Sequence, residues 1–199
     1  MTDQPAPIIR PGFPENQRAA AATLFFDAFA GKLDPILGDD GRGTRLIARL
    51  IEPDATIAAY SPDGTRLLGL AGLKTRAGSF MHGTLSDMAA EYGLFGGLWR
   101  GLALTLLDQK PEPGCLHIDA LAVSPEARGQ GIGSRLLNAC RTEARRLGFK
   151  ALSLDVVDTN PRAHALYERY GFRDARRVRI WPLHRLFGFT SATRMVRPI

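Results

Sequence analysis

The stretch of sequence that most restricts the fold lies between residues 115 and 157. It begins with an apolar run, "CLHIDALAV" (115–123), and continues through a loop that has glycine at 129, 131 and 133. A segment with helical periodicity follows, and then a second apolar run, "ALSLDVV" (151–157). The periodic apolar positions are Ile132, Leu136, Cys140, Ala144 and Leu147, and Gly148 follows where a helix end favours glycine. Strand, helix and strand in this order predict a βαβ unit, so the two apolar runs should be parallel neighbours in one sheet, joined by a right-handed crossover.

The rest of the chain predicts further strands and helices on both sides of this unit. Upstream, we expect a strand over 7–13, a helix from residue 14 that ends at Gly31, a helix over 39–52, a hairpin across 61–64, and a helical stretch over 85–107 that breaks at Gly93 or at Gly96 and Gly97. Downstream, Asn160 is the expected cap of a helix with Pro161 at its first position and Gly171 after its end. Residues 175–199 predict two more strands. No repeat or low-complexity linker divides the 199 residues, so we expect one domain.

Composition excludes several classes of protein. The apolar stretch 93–107 contains Arg100 and is too short to span a bilayer, and the first residues lack the layout of a secretory signal. We therefore expect a cytoplasmic protein without membrane association. Cys115 and Cys140 have no Cys or His partner at metal-ligand spacing, which indicates reduced, buried thiols and no metal site.

Charge is distributed unevenly along the chain. Up to residue 127 there are 11 Lys and Arg against 15 Asp and Glu, whereas from residue 128 onward there are 15 against 5. The basic half is almost entirely arginine, whose guanidinium suits phosphate contacts. This pattern indicates an anionic ligand, and nucleic acid is one candidate at this point.

The glycine loop is the first candidate for that ligand. A turn that feeds a helix N-terminus leaves backbone N–H groups without partners, and the peptide dipoles add positive charge there. Gly129, Gly131 and Gly133 let a phosphate approach the backbone, and Arg128 and Arg135 add mobile charge. A plain turn between strand and helix, with glycines for packing, explains the same residues equally well.

Two common phosphate sites do not fit. A P-loop needs lysine before the Ser or Thr at the helix start, but Ser134 follows Ile132 and Gly133. A dinucleotide-binding fingerprint needs a third glycine where Ser134 stands, and it belongs to the first strand of its fold. The loop therefore predicts neither a nucleoside triphosphate nor a dinucleotide.

Two motifs in sequence order resemble the GNAT superfamily of N-acetyltransferases. The first has the form of the family's acyl-CoA loop and comprises Arg128, Gly129, Gln130, Gly131, Ile132 and Gly133. The second matches the family's pattern at Asn160, Ala163, Leu166, Tyr167, Gly171 and Phe172. The resemblance covers roughly residues 114 to 174.

The resemblance implies an α+β fold in α/β/α layers. Its sheet would be mixed and mostly antiparallel, with six to seven strands, a parallel fourth and fifth strand that splay apart, and about four to five helices. One acetyltransferase domain would then span residues 1–199. Residues 1–113 would form the acceptor side, 114–174 the acyl-CoA core, and 175–199 the last strands.

The resemblance also implies the cosubstrate and the reaction. Acetyl-CoA would give its acetyl group to a primary amine of a small molecule, peptide or protein, by direct attack through a tetrahedral intermediate and without a metal. The pyrophosphate would lie on the loop, the pantetheine arm would pair with the strand backbone, and a backbone N–H near Leu121 would meet the thioester carbonyl. The residues implied for binding are Leu121, Ala122, Val123, Arg128, Gly129, Gln130, Gly131, Ile132, Gly133, Ser134, Asn160 and Tyr167.

An alkylamine is protonated at neutral pH, so the reaction needs a base. A period of two places His117, Asp119, Leu121 and Val123 on one face of the strand, where His117 and Asp119 could face the reacting carbonyl. Several family members have a carboxylate at the position of His117. A hydrogen-bonded core histidine is an equally good interpretation, whereas Asp119 in an apolar strand needs a partner or a cleft.

Tyr167 is the candidate acid for the departing thiolate. The family pattern favours this role, and helix periodicity alone favours a packed ring one turn before Tyr170. Asn160 would cap its helix and contact the pantetheine.

The acceptor is not predicted. The resemblance implies acceptor contacts from residues 30–44 and 181–190, where Asp34, Asp39 and Asp40 either attract a cationic amine or lie solvated. Residues 85–107 either cover the acceptor cleft or form a homodimer surface. A non-catalytic acyl-CoA sensor is the alternative function. Nucleic acid binding is disfavoured, because helix 133–147 offers four arginines without stacking aromatic residues.

Overall fold

The computed structural model describes residues 6–75, 78–107, 111–179 and 188–199. Within these ranges seven strands and five α-helices form. The strands are β1 (Ile8–Pro11), β2 (Thr56–Tyr60), β3 (Leu67–Lys74), β4 (Cys115–Val123), β5 (Ala151–Val157), β6 (Arg173–Arg179) and β7 (Ser191–Pro198). The helices are α1 (Arg18–Leu37), α2 (Arg42–Leu50), α3 (Leu85–Leu107), α4 (Ile132–Arg146) and α5 (Pro161–Arg169).

All seven strands belong to one sheet in the order β1-β2-β3-β4-β5-β7-β6. Every neighbouring pair is antiparallel except β4 and β5, which are parallel. Pairing between β4 and β5 ends at Ile118 and Leu154, although both strands continue beyond these residues. The strands therefore splay apart, and the predicted mixed sheet with a parallel, splayed fourth and fifth strand is confirmed.

The sheet separates two hydrophobic cores. On one face Phe25 and Ile36 of α1 pack with residues of α2 and α3. On the other face Leu136 and Cys140 of α4 pack with Tyr167 of α5. The predicted α/β/α layering is thus confirmed, and both cysteine thiols are free and buried, as expected. Burial raises the pKa of Cys140 to about 12, because the closed core disfavours the thiolate.

Helix α1 is longer than the sequence predicts. It continues past Gly31 to Leu37 and ends at Gly38, which has a φ of +78°. Its last two turns bury Leu33 and Ile36, so packing against the core extends the helix beyond the glycine. Pro35 lies inside this extension and cannot donate the hydrogen bond that the Gly31 carbonyl would otherwise receive. Residues expected in an acceptor loop are therefore helical.

Helix α2 is shorter than predicted, since it begins at Arg42 and not at residue 39. Asp40 stays outside the helix, where its Oδ1 accepts a hydrogen bond from the Arg42 backbone N–H at 3.1 Å. That bond and the ion pair between the two side chains, at 2.7 Å, lower the pKa of the Asp40 carboxyl. The Asp40 side chain, which bonds to the first backbone N–H of α2, therefore marks the start of the helix.

Helix α3 breaks at Gly93, which has a φ of +74° and confirms one of the two predicted positions. Its first arm is anchored by Tyr92, whose hydroxyl donates to the Leu37 carbonyl at 2.7 Å. The second arm exposes five large apolar side chains, Leu94, Phe95, Leu98, Trp99 and Leu102. None of the described helices has the length and apolar character needed to cross a membrane.

Strand β4 contains a bulge at Asp119. Gly72 of β3 pairs with Ala120 and the next residue of β3 pairs with Ile118, so Asp119 has no counterpart. The bulge exchanges the two faces of the strand. Ile118 packs with the α4 core, whereas Ala120 packs with the α1 core.

The prediction that His117, Asp119, Leu121 and Val123 share one face is therefore wrong. Leu121 and Val123 pack with the α4 core, while His117 lies on the α1 face beside Ser153. The physical reason is the extra residue, because a period of two holds only while the strand pairs without interruption. Sequence alone showed no glycine or proline to mark this bulge.

Candidate functional site

A cavity of about 440 Å³ opens where β4 and β5 separate. It reaches both helical layers, because residues from α1 and from α5 line it together with the diverging strands. We call it the splay cleft. Among its lining residues are Phe29, Lys32, Asp119, Leu121, Asp155, Asn160, Tyr167 and Phe189.

The backbone of β4 presents a free strand edge to this cleft. Ser124 donates its N–H to the Leu68 carbonyl of β3 at 2.9 Å. Successive N–H groups of an antiparallel strand point to opposite sides, so those of Leu121 and Val123 point away from β3, toward the split. The Val123 carbonyl accepts a hydrogen bond from Arg128 Nε at 3.3 Å, which agrees with this orientation. A ligand with amide groups could pair with this edge as an added strand.

The glycine loop joins this edge to α4. Gly129 and Gly131 have φ values of +80° and +76°, and Gly131 precedes the first residue of α4 without any side-chain cap. A Cβ at either glycine would meet no protein atom within 4 Å, so the backbone angle demands glycine and the space above the loop is open. At Gly133 a Cβ would lie 3.6 Å from Leu166, an ordinary contact. The N-terminus of α4 therefore faces open space with its first N–H groups, as an anion site requires.

The side chains of the loop differ in their contacts and exposure. Gln130 donates to the Glu126 carbonyl at 3.0 Å and so braces the turn. Arg128 and Arg135 are exposed beside the loop, and Arg128 is held near it by its bond to the Val123 carbonyl. Ile132 is buried and anchors α4, whereas Ser134 is half-buried.

Tyr167 lies on α5 and lines the splay cleft. Its ring packs edge-on against Phe172, with centroids 5.9 Å apart. Burial raises the pKa of its hydroxyl to about 12, so the phenol keeps its proton at neutral pH. Within the described ranges no side chain or carbonyl forms a hydrogen bond with this hydroxyl. Tyr170 does not line the cleft, and Arg197 covers its ring at 4.5 Å.

Asn160 has the predicted capping role and also lines the cleft. Its Oδ1 accepts a hydrogen bond from the Ala163 N–H at 3.1 Å at the start of α5. The cap fixes the direction of α5 and therefore the position of Tyr167 two turns later. The two predicted roles of Asn160 are compatible in this geometry.

The two candidate bases occupy different positions. His117 is 2% exposed and does not line the cleft. Its Nδ1 lies 3.0 Å from Ser153 Oγ, and its Nε2 lies 3.7 Å from Asp155 Oδ2. Asp119 is exposed at the bulge and lines the cleft. The contacts of His117 fit the hydrogen-bonded core interpretation, and only Asp119 reaches the cleft surface.

Sequence reasoning missed a charged pair behind the cleft. Arg194 of β7 binds Asp155 of β5 through two hydrogen bonds of 2.9 and 2.8 Å, and its third nitrogen lies 3.3 Å from Glu112. The hydrogen bonds to Asp155 raise the pKa of Arg194 further. A lone Asp in "ALSLDVV" and a lone Arg in "SATRMV" were the available signal, because opposite charges in apolar strands need each other.

Lys32 is the second residue that the sequence did not indicate. Its ammonium lies 5.5 Å from the ring centre of Phe29 and 5.6 Å from that of Phe189, and it lines the cleft. Burial lowers the pKa of Lys32, and the nearby Asp155 carboxylate opposes this shift. The sequence predicted a helix end at Gly31 and so placed Lys32 in a loop. Only a helix that continues past Gly31 directs the Lys32 side chain toward the sheet.

The predicted acceptor segments have different outcomes. Asp34, Asp39 and Asp40 do not line the cleft, and Asp40 is occupied by Arg42. From 181–190, Gly188 and Phe189 line the cleft, and residues 181–187 lie outside the described ranges. Helix α3 contributes no residue to the described cleft lining. Among the described residues no group of three His, Cys, Asp or Glu side chains is arranged to hold a metal ion.

A family model described as "Acetyltransferase (GNAT) family" matches residues 39–172. The chain belongs to the GNAT acetyltransferase family. Thialysine N-epsilon-acetyltransferase of Bos taurus is 36% identical over 73 residues, which cover 37% of this chain and 43% of that protein. The match thus spans less than half of this curated relative.

Solved structures show the same fold. A GCN5-related N-acetyltransferase from Kribbella flavida superposes with a TM-score of 0.64 at 22% identity, over 98% of both chains. A chain of the NatC complex, solved with Gag peptide and CoA bound, superposes with a TM-score of 0.57 at 16% identity, over 98% of this chain and 99% of that chain. The family assignment and the splayed sheet therefore agree.

Proposed function

We propose that this protein transfers the acetyl group of acetyl-CoA to a primary amine of a small molecule, peptide or protein. The observation that carries the proposal is the continuity of three features. A free strand edge at Leu121 and Val123 leads into an uncapped helix N-terminus at Gly131, and both adjoin a cleft that contains Tyr167. The amine named by the bovine relative supports the class of acceptor.

The donor fits the residues present. The loop from Arg128 to Ser134 would hold its pyrophosphate, since the space above Gly129 and Gly131 is open. The edge residues Leu121, Ala122 and Val123 would hold the pantetheine arm, with the N–H groups of the first and third directed toward it. Asn160 would contact the arm from the start of α5. When bound, acetyl-CoA supplies an acyl group activated as a thioester.

The chain itself would then move two protons. We assign Asp119 the role of base, directly or through one water, because it is the candidate that lines the cleft. We assign Tyr167 the role of acid, because its raised pKa keeps it protonated. His117 would support the cleft wall through Ser153 and Asp155 and would not contact the acceptor.

Two further parts of the proposal concern the whole protein. Residues 1–113, 114–174 and 175–199 would act as one acetyltransferase domain, with α1 on the acceptor side. The cytoplasmic location and a homodimer through α3 stay predictions.

Ligand-dependent melting is the first experiment, with acetyl-CoA, free CoA and a DNA duplex added separately. Only a ligand of the folded state raises the melting temperature, so both thioester and free CoA should raise it and DNA should not. A rise with DNA alone would contradict the proposal and favour nucleic acid binding.

Turnover is the second experiment and separates an enzyme from an acyl-CoA sensor. Thiol release from acetyl-CoA should follow addition of a primary amine from a panel of amines and peptides. Asp119→Asn should lower this rate roughly a hundredfold, because it removes the proposed proton acceptor. Asp54→Asn, a change at an exposed aspartate before β2, is the control. Stable CoA binding without turnover on any amine would favour the sensor.

A further inference from the structure

Lys32 is the one cation among the described residues that line the splay cleft. We propose that Lys32 is a site of self-acetylation, at which the protein transfers an acetyl group from acetyl-CoA in its own cleft to Lys32 Nζ. The inference rests on the proposed function, because the same cleft supplies the donor.

Two aromatic rings flank the Lys32 ammonium. Phe29 stands one helical turn earlier on α1, and Phe189 approaches from the segment before β7. Their ring centres lie 5.5 and 5.6 Å from Nζ, so the side chain is held between them. A lysine held in this way spends more time near one target than a lysine in open solvent does.

The carboxylate near Lys32 is already paired with another cation. Asp155 is the nearby carboxylate, and Arg194 already binds both of its oxygens. Lys32 forms no ion pair with any described carboxylate. Its half-buried position favours the neutral amine over the ammonium, which is the form that attacks a carbonyl.

The step balances without a further reactant. After the ammonium loses one proton to solvent, the Nζ lone pair attacks the thioester carbonyl carbon. The new C–N bond forms, the C–S bond breaks, and the CoA sulfur leaves with the electron pair of that bond. The nitrogen loses its second proton and the CoA thiolate takes up one proton, which leaves a neutral acetamide and CoA thiol.

Acetylation would change the cleft in two ways. It removes the only cation of the described lining and therefore both cation–π contacts. It also leaves an acetamide in the cavity of about 440 Å³ where we place an acceptor.

Intact mass spectrometry tests the inference directly. The purified full chain is incubated with acetyl-CoA without added amine, and peptide mapping locates any acetyl group. We expect one acetyl group on Lys32, formed at least about tenfold faster than on the exposed Lys150. Lys32→Arg should lose this modification, because an arginine keeps the charge but is not acylated at neutral pH. Lys150→Arg, the matched control, should keep it.

Two further measurements make each outcome decisive. The short thioester S-acetyl-N-acetylcysteamine, which lacks the phosphates, should label Lys32 at least about tenfold more slowly than acetyl-CoA does at equal concentration. Equal rates would overturn the inference, since they would show a reactive amine and no templated transfer. Acetylation of the Lys32→Arg variant to the same extent as the wild type would also overturn the inference.

Melting curves with acetyl-CoA separate this failure from failure of the proposed function. If acetyl-CoA raises the melting temperature and Lys32 remains unmodified, the inference is wrong and the proposed function stands. If acetyl-CoA neither raises the melting temperature nor modifies the protein, both are wrong.

Discussion

The two faces of the sheet contribute to the splay cleft in different ways. On the α4 and α5 face the candidate binding groups are backbone amides, supplied by Leu121, Val123 and the loop through Gly131. On the α1 face they are side chains from distant positions, such as Lys32 and the Asp155 carboxylate that Arg194 holds.

This difference explains which side a sequence reveals. A backbone site is encoded locally, because glycine and capping residues set the angles of a few consecutive peptides. A side-chain site depends on helix length, strand register and strand order, which are properties of the whole fold. The four predictions below ask whether the two faces differ in this way when single residues are changed.

The largest expected effect is on the α1 face. Arg194→Met should lower the free energy of unfolding by about 3 kcal/mol, because it leaves the partly buried Asp155 carboxylate without its two hydrogen bonds. Chemical denaturation measures this value. Arg42→Met is the control, since its pair with Asp40 is exposed and should contribute far less to stability. Equal losses in both variants would show that the pair of Arg194 and Asp155 stabilises the protein no more than an exposed ion pair does.

The second effect is on turnover. Tyr167→Phe should lower kcat roughly tenfold or more and leave acetyl-CoA binding unchanged, because it removes a proton donor and little volume. Tyr170→Phe should keep the wild-type kcat, since Tyr170 does not line the cleft. Unchanged turnover in Tyr167→Phe would remove its assigned role.

The third effect compares two glycines of the α4 face. Gly131→Ala and Gly148→Ala place alanine at φ values of +76° and +77°, where in both cases a Cβ meets no atom within 4 Å. Each should lose about 1 kcal/mol of stability from the left-handed backbone. Only Gly131→Ala should also weaken CoA binding in calorimetry, because Gly148 follows the other end of α4. Equal CoA affinities in the two variants would contradict a phosphate site on the loop.

The smallest effect depends on pH and on the closed core of the α4 face. The pKa of Cys140 rises from 9.0 to about 12 on folding, so the folded state holds the thiol proton more tightly than the unfolded state. The stabilisation from the protonated thiol is therefore fully present below pH 9 and is lost as pH rises toward 12. We expect a loss of about 1 kcal/mol between pH 8 and pH 10.

Denaturation at these two pH values, in wild type and Cys140→Ala, isolates the thiol. The variant should lose stability at both values from the smaller side chain, with a weaker dependence on pH. Tyr167, with a pKa of about 12, contributes only above its ordinary value of 10.0. An unchanged pH dependence in Cys140→Ala would assign the alkaline loss to other groups.

Much of the fold was predictable because its signals are local. The βαβ unit, the break of α3 at Gly93 and the cap of α5 at Asn160 each depend on residues a few positions apart. Two predictions were wrong where packing overrides a local signal. Core burial of Leu33 and Ile36 carries α1 past Gly31, and the bulge at Asp119 exchanges the faces of β4.

The candidate site divides in the same way. The sequence predicted roles for Gly129, Gly131, Asn160 and Tyr167. In the structure the two glycines lie in the loop before α4, and Asn160 and Tyr167 line the cleft. The sequence placed His117 and Asp119 side by side, whereas the bulge leaves Asp119 at the cleft and His117 behind its wall. Lys32 and Arg194 were absent from any motif.

By itself, the sequence determined the order of strands and helices, the glycine-lined helix start and the family, because each follows from residue type and short spacing. Only the tertiary structure decided which face His117 occupies, that Lys32 reaches the cleft, and that Asp155 meets Arg194 across neighbouring strands. These positions depend on a one-residue bulge, a helix extended by burial and the insertion of β7 beside β5. Each is set by contacts between residues far apart in the chain, which no local pattern contains.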